Sequence, residues 1–360
     1  MWRQAPDGAL WTGGQGALAR FDGHRWQMYD LTELMSTVMP QMAVQPLVGL
    51  ALRDGSMWLK VGQAAARFEP AGLNPTRYRH PDRLFGGYED AAGGVWFHTD
   101  HAAVYHQDGR WLAHTADDGF LDGDVYGAWQ AASGDVWFIG THAGQTAVAR
   151  RRGDTWRVFT ADDGLIEHIY ADAVTDDGQS FSFRFWGNHF AETRQGEIWI
   201  GGAHEGQAAV CRLVGDRWER HVLPGGRVTQ ALAASDGSLW FGTWDGEASV
   251  DGGGLHHYDG ADWHRYDETN GLTSSRVYGI AEWPAGTMWV GVLNGVSRRA
   301  LSAAPDAPWQ PVADRWGGNR KLGGFVPTSQ GVFFKGYGQS GGGAPSVFRH
   351  DGETLYSYPQ

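Results

Sequence analysis

Apolar and polar residues alternate along most of this chain in short runs, and each run ends in a Gly-containing turn. Val277-Tyr278-Gly279-Ile280-Ala281-Glu282 is the clearest run. A two-residue period over six positions predicts a half-buried strand rather than a helix. No segment shows a clean helical stripe; the nearest, Asp30 to Met42, contains Pro40. One pattern, a small or acidic residue, Gly, two residues, then an aromatic, recurs eight times. Its pivot aromatics are Trp11, Trp58, Trp96, Trp137, Trp199, Trp240, Trp289 and Phe333, spaced 47, 38, 41, 62, 41, 49 and 44 residues apart. Strand-like repeats of that length predict an all-β fold, a single β-propeller of eight four-stranded blades over residues 1–360, with seven blades as the alternative.

Each repeat carries a second landmark. A further Trp follows the pivot after an alternating run and a turn: Trp26, Trp111, Trp156, Trp218, Trp263 and Trp309, with Leu355 in the last repeat. Thirteen of the 19 tryptophans therefore occupy two repeat positions. A binding site does not need the same aromatic in nearly every repeat, so these positions are assigned to packing. Trp137, Trp199, Trp240 and Trp289 are expected to be buried between neighbouring blades. In the seventh repeat the strands are expected at Val277–Glu282, Thr287–Gly291, from Val296, and around the second Trp. Asn294-Gly295 is read as a type I′ hairpin turn, in which both central residues take positive φ. The 62-residue interval between Trp137 and Trp199 holds Gln179-Ser180-Phe181-Ser182-Phe183-Arg184-Phe185-Trp186, which fits no repeat position. It predicts an inserted hairpin around 172–190.

Composition narrows the function classes. The 54 glycines suit a chain of many tight turns. A formal net charge of −12 argues against a nucleic-acid backbone as partner. The one basic run, Arg150-Arg151-Arg152, is read as a solvated edge. Cys211 is the single cysteine, so no intrachain disulfide is expected. No membrane segment is expected: the apolar stretch near Met42 to Leu52 is too short and too interrupted to span a bilayer, and no signal peptide opens the chain.

The seventh repeat runs from Asp267-Glu268-Thr269-Asn270-Gly271-Leu272 through Val277-Tyr278-Gly279-Ile280 into Met288-Trp289-Val290-Gly291. The sixth adds Leu239-Trp240-Phe241-Gly242-Thr243 and Gly253-Gly254-Leu255. This resembles the two-component regulator propeller repeat. That pattern has an Asn/Asp-Gly-Leu lead-in, a Val-x-x-Ile strand, Gly-x-x-Trp-Ile-Gly-Thr and a Gly-Leu hairpin. The resemblance is strong in repeats four, six and seven and weak in two and eight. It implies a sensor propeller, of the kind forming the extracytoplasmic part of hybrid sensor kinases, often recognising carbohydrate fragments. A periplasmic or extracellular location follows from the resemblance alone. The chain departs from the family in carrying no kinase, receiver or DNA-binding segment. It opens almost inside its first repeat and ends directly after its last, which predicts a fragment or a stand-alone propeller.

One slot could carry chemistry. Five residues past each pivot the chain reads Gly16, Gln63, His101, His142, His204, Asp245, Asn294 and Gly338. His98, Asp100, Glu205 and Trp244 flank it. In a propeller, equal register places these residues on one face, in the loops joining second and third strands. Two readings stand open. The slot is a turn position, as Asp245-Gly246 and Asn294-Gly295 imply. Or it is a polar rim for a small polar ligand or oligosaccharide, with Trp244 as stacking platform. A metal would need the imidazoles to converge to about 2.1 Å from one ion, and equivalent loops on neighbouring blades stand too far apart, so no metal or cofactor is expected. His256-His257 point to opposite faces of a strand and cannot share an ion. No nucleophile elbow or phosphate loop is present, so no catalytic residues are assigned. The function expected is non-enzymatic recognition. The alternatives are an enzyme resembling virginiamycin B lyase, whose repeats share the Gly-x-x-Trp-Phe strand seen at Gly93–Phe97, and a protein-binding scaffold.

Overall fold

The computed structural model describes residues 2–5, 7–14, 17–32, 47–61, 64–69, 72–79, 84–169, 173–174, 180–181, 189–244, 252–313, 320–338 and 346–358. Its strands form eight four-stranded sheets, each an antiparallel meander in chain order. The chain is all-β, with the eight four-stranded blades of a β-propeller. The seven-bladed alternative falls to the complete sheet at Arg320–Thr328, Gly331–Gly338, Ser346–His350 and Leu355–Tyr358. Three single-turn 3-10 segments, at Ala116–Asp118, Ala161–Asp163 and Glu268–Asn270, accompany the strands.

The blades fall into two compact units, Met1–Thr160 and Ala161–Gln360. The first holds blades 1 to 4, whose second strands are Leu10–Gly14, Met57–Val61, Val95–His98 and Val136–His142. The second holds blades 5 to 8, with second strands Ile198–His204, Leu239–Trp244, Thr287–Val292 and Gly331–Gly338. The second unit also contains a two-stranded ladder in which Ala173–Val174 pairs with Ser180–Phe181. The remainder of the segment expected as an inserted hairpin lies outside the described residues, apart from residues 189–190.

The pivot tryptophans are core. Trp137, Trp199, Trp240 and Trp289 are each at most 2% exposed. For Trp240 and Trp289 that burial comes from the following blade. Trp240 packs with Ile280, Met288, Val290 and Trp309 of blade 7, and Trp289 with Leu322, Phe334 and Phe348 of blade 8. In the first unit, Trp58 lies among Val95, Phe97 and Val104 of blade 3. Any of these three blades alone would expose its indole, so these pivots contribute stability only once the neighbour is in place. Burying one such ring contributes on the order of 3 kcal/mol.

The glycines of the pivot motif divide the work. The one three residues before the pivot turns the chain: Gly8, Gly55, Gly93, Gly134, Gly196, Gly237 and Gly286 have φ between +82° and +91°, which side chains resist. In blades 5, 6 and 7 a second glycine, two residues after the pivot, admits the next blade. A Cβ on Gly242 would stand 2.5 Å from Val277 Cγ1.

An arginine the repeat pattern did not disclose faces the pivot. In strand register, Arg20, Arg67, Arg150, Arg212, Arg298 and Arg349 stand opposite the pivot aromatics of blades 1, 2, 4, 5, 7 and 8. The guanidinium carbon of Arg150 lies 5.6 Å from the centroid of Trp137, and that of Arg298 lies 5.8 Å from Trp289. Several of these arginines also pair with the acidic residue of the preceding turn: Arg20 with Asp7 at 2.6 Å, and Arg67 with Asp54 and Arg212 with Glu197 in short contacts. The turn carboxylates therefore have a structural occupation.

The hairpin at Asn294 differs from the type I′ expectation. Val292 pairs with Gly295, so the central residues are Leu293 and Asn294. Only Asn294 has positive φ, +62°. The third strand begins at Gly295, where a Cβ would collide with Thr273. Close approach, rather than turn geometry, requires that glycine.

Candidate functional site

The slot five residues past the pivots closes or follows the second strand of its blade. In blades 4 and 5 it is the last strand residue: His142 pairs with Gln145, and His204 with Gln207. The positive φ falls on the next two residues, Ala143 (+49°) and Gly144 (+75°), and Glu205 (+49°) and Gly206 (+75°). These imidazoles are therefore not the turn residues. Each turn is held from behind by a carboxylate. Asp122 accepts from the Ala143 amide at 2.8 Å, and Glu167 accepts from the Glu205 amide at 2.9 Å.

The same carboxylates approach the slot histidines. His142 Nδ1 lies 3.4 Å from Asp122 Oδ1, and His204 Nδ1 lies 3.7 Å from Glu167 Oε1. Arg220 donates to the His204 ring, 3.1 Å from Nδ1. The hydrogen bond from the Glu205 amide, aided by His204 and Arg220, holds the Glu167 carboxyl below its usual range. Both carboxylates follow the same lead-in, Asp118-Gly119-Phe120-Leu121-Asp122 and Asp163-Gly164-Leu165-Ile166-Glu167. That fifth position was the available sequence signal.

The other candidates divide. His101 is exposed, and its backbone amide donates to Thr99 Oγ1 at 3.2 Å. Asp100 is half-buried, and its carbonyl accepts from the Val125 amide at 3.0 Å. His98 is fully buried, with Nδ1 3.3 Å from the Thr99 carbonyl, so it belongs to the core of its blade. Glu205 is exposed, with Oε1 4.0 Å from His204 Nε2. Asn294 is committed to structure: its Oδ1 accepts from the Arg320 amide, and its own amide donates to the Arg320 carbonyl, each at 2.7 Å. Asp245 lies outside the described residues, as do Gly16 and Gln63.

Trp244 ends the second strand of blade 6, half-buried and opposite Arg227. The Arg227 guanidinium carbon stands 4.4 Å from its ring centroid. The Tyr278 ring lies 6.1 Å away, and Lys321 Nζ is 5.6 Å from each ring. This aromatic and cationic cluster was visible in sequence only through Trp244.

His256 and His257 do point apart. His256 Nε2 lies 3.0 Å from the Pro224 carbonyl, whereas His257 stacks on Trp240 with centroids 4.1 Å apart. Among the described residues, no three His, Cys, Asp or Glu side chains gather as a metal site requires. Among them too, no helix is long and apolar enough to cross a membrane.

No curated protein is significantly similar in sequence to this chain. Solved structures share the fold at low identity. Virginiamycin B lyase from Staphylococcus aureus, with quinupristin, is 15% identical at a TM-score of 0.50, covering 81% of this chain and 91% of that one. YCF48 from Cyanidioschyzon merolae is 12% identical at a TM-score of 0.50, covering 80% and 91%. The extracellular domain of a hybrid two component system from B. thetaiotaomicron is 15% identical at a TM-score of 0.34, covering 99% and 48%. At these identities the likeness to the first two shows the fold alone. Residues 222–245, from the end of blade 5 through the second strand of blade 6, match the family described as two component regulator propeller. The chain is thus an eight-bladed propeller in which residues 222–245 match the two component regulator propeller repeat.

Proposed function

We propose that this chain is a non-enzymatic recognition propeller, the ligand-sensing part of a two-component type regulator. It binds a small polar ligand such as an oligosaccharide at the loops joining second and third strands. The observation that carries the reading is the placement of His142 and His204. Both stand beside a turn without forming it, partly open to solvent, each with a carboxylate at its back. Turn chemistry alone needs Ala143-Gly144 and Glu205-Gly206 and does not require an imidazole before them. The repeat match supports a sensor and, with it, a periplasmic or extracellular location. Each such loop can offer a polar ligand hydrogen bonds of about 0.5–1.5 kcal/mol apiece.

The test is a screen of neutral and acidic oligosaccharides by calorimetry on the wild type and on a variant with His142→Ala and His204→Ala. Binding by the wild type that weakens in a folded variant supports the reading. Equal binding in both removes the slot from recognition.

A second reading, a lyase, has one observation in its favour, the approach of His204 to Glu167 at 3.7 Å. Against it, Glu167 already holds the Glu205 amide and Arg220 already holds the imidazole. Turnover of quinupristin by the purified chain would establish the lyase reading over the sensor one.

A further inference from the structure

Four side chains of the second unit form a cluster that the slot does not account for. Arg227 opens the first strand of blade 6, and Trp244 ends its second strand. Tyr278 lies near the start of blade 7, and Lys321 near the start of blade 8. All four are half-buried and so reachable from solvent. Lys321 is set in place by the blade 7 hairpin, through an isolated bridge between Leu293 and Lys321 and the paired bonds of Asn294 to Arg320.

The cations here are held by ring faces, 4.4 Å from Arg227 to Trp244 and 5.6 Å from Lys321 to both rings. A ring quadrupole orients a cation without neutralising it. Among the described residues no carboxylate lies within ion-pair distance of either. Arg20, Arg67 and Arg212 stand opposite pivot aromatics in the same way, but each of those three has its turn carboxylate. Among the described residues, two cations without a carboxylate partner therefore stand together in a chain of net charge −12. Burial lowers the Arg227 pKa from its ordinary value, the mark of a cation stripped of part of its water.

We propose that Arg227, Lys321, Trp244 and Tyr278 form a subsite for an anionic saccharide, whose acidic group lies between the two cations and whose ring packs against the aromatic pair. A bidentate guanidinium and a mobile ammonium suit a carboxylate or sulfate, and half-buried aromatic surface suits the flat apolar face of a sugar. The proposal rests on the recognition reading above and specifies the charge of the ligand.

The test is calorimetry on the full chain with three probes: trigalacturonate, its neutral methyl ester, and a sulfated disaccharide. The same neutral and acidic panel used for the slot runs beside them. The variants are Arg227→Gln and Lys321→Met, each keeping most of its stem, with near-ultraviolet circular dichroism to confirm the fold. The expected result is binding of at least one acidic probe and none of the methyl ester. Affinity should fall as salt rises, with at least about a tenfold loss in each folded variant, the scale of one charge-assisted hydrogen bond. Preference among trigalacturonate and the sulfated probe identifies the acidic group. If only neutral sugars bind, or acidic ones bind the variants equally, the subsite is refuted and the recognition reading stands. If no saccharide binds the wild type, both fail together.

Discussion

The indole of Trp240 meets that of Trp309 edge to face, with centroids 6.0 Å apart and planes at 90°. Trp240 is the pivot of blade 6, and Trp309 leads into the fourth strand of blade 7. The same contact joins Trp58 to Trp111 at 6.0 Å, Trp96 to Trp156 at 6.3 Å, and Trp199 to Trp263 at 6.4 Å. The two tryptophan landmarks of the repeat are two halves of one contact across a blade boundary.

Truncating either half should loosen that boundary. Trp240→Ala and Trp309→Ala are each expected to cost about 3–5 kcal/mol. The double variant should fall short of the sum by about 0.5–1.5 kcal/mol, the coupling typical of an aromatic pair. Urea unfolding of the four proteins in the cycle measures this, and strict additivity would show that the rings do not interact.

Gly242→Ala should destabilise through crowding. Its new Cβ would stand 2.5 Å from Val277 Cγ1, and overpacking of this kind costs about 1–3 kcal/mol. Adding Val277→Ala should return part of the loss. A double variant less stable than both singles would place the strain elsewhere.

Arg212→Met should cost less than about 2 kcal/mol. The guanidinium lies 6.0 Å from the Trp199 centroid and pairs with a partly exposed Glu197. A half-exposed cation–π contact contributes about 0.5–1 kcal/mol, and an exposed ion pair at most about 1. Thermal melts in low and high salt separate the two, since only the ion pair is strongly screened.

Stability should fall in mild acid. Burial lowers the pKa of His256 and of His257 from 6.5 to about 4, assisted by Arg265 and His264 respectively. Between pH 6.5 and about 4 the unfolded chain takes up protons that the folded chain refuses. The stabilisation is therefore complete above 6.5, lost progressively as pH falls to about 4, and flat below. His257→Phe keeps a ring on Trp240 and removes one titrating group. Its melting temperature should vary less with pH over that window than the wild type's, and an unchanged slope would rule His257 out.

What could be read in the sequence was whatever repeats at a fixed distance. The pivots, the second tryptophans and the turn glycines recur locally, so eight blades were legible. The arginine opposite the pivot was not, because strand register sets its position and hairpin length varies. It comes nine residues after Trp11 at Arg20, but thirteen after Trp199 at Arg212. The carboxylates behind the slot, Asp122 and Glu167, were hidden for a related reason: they reach their turns across 21 and 38 residues. Trp244 stood out as an aromatic next to the slot. Lys321, which completes its cluster, comes from two blades further on and has no register that would mark it. At Asn294 the dipeptide Asn-Gly signalled a turn correctly and placed it one residue late, because Gly295 is required by the nearness of the Thr273 side chain rather than by φ.

The glycine two residues past the pivot has a consequence for how such a chain can grow. At Gly242 it leaves room for a strand of the next blade, just as Trp240 offers an indole to a ring of the next blade. A repeat of this type therefore presents a socket on its trailing side and carries a matching plug on its leading side. A segment copied in tandem brings both with it, and the new joint needs no compensating substitution to close. Duplication can lengthen the array without first inventing an interface, which leaves the loops free to diverge from one blade to the next.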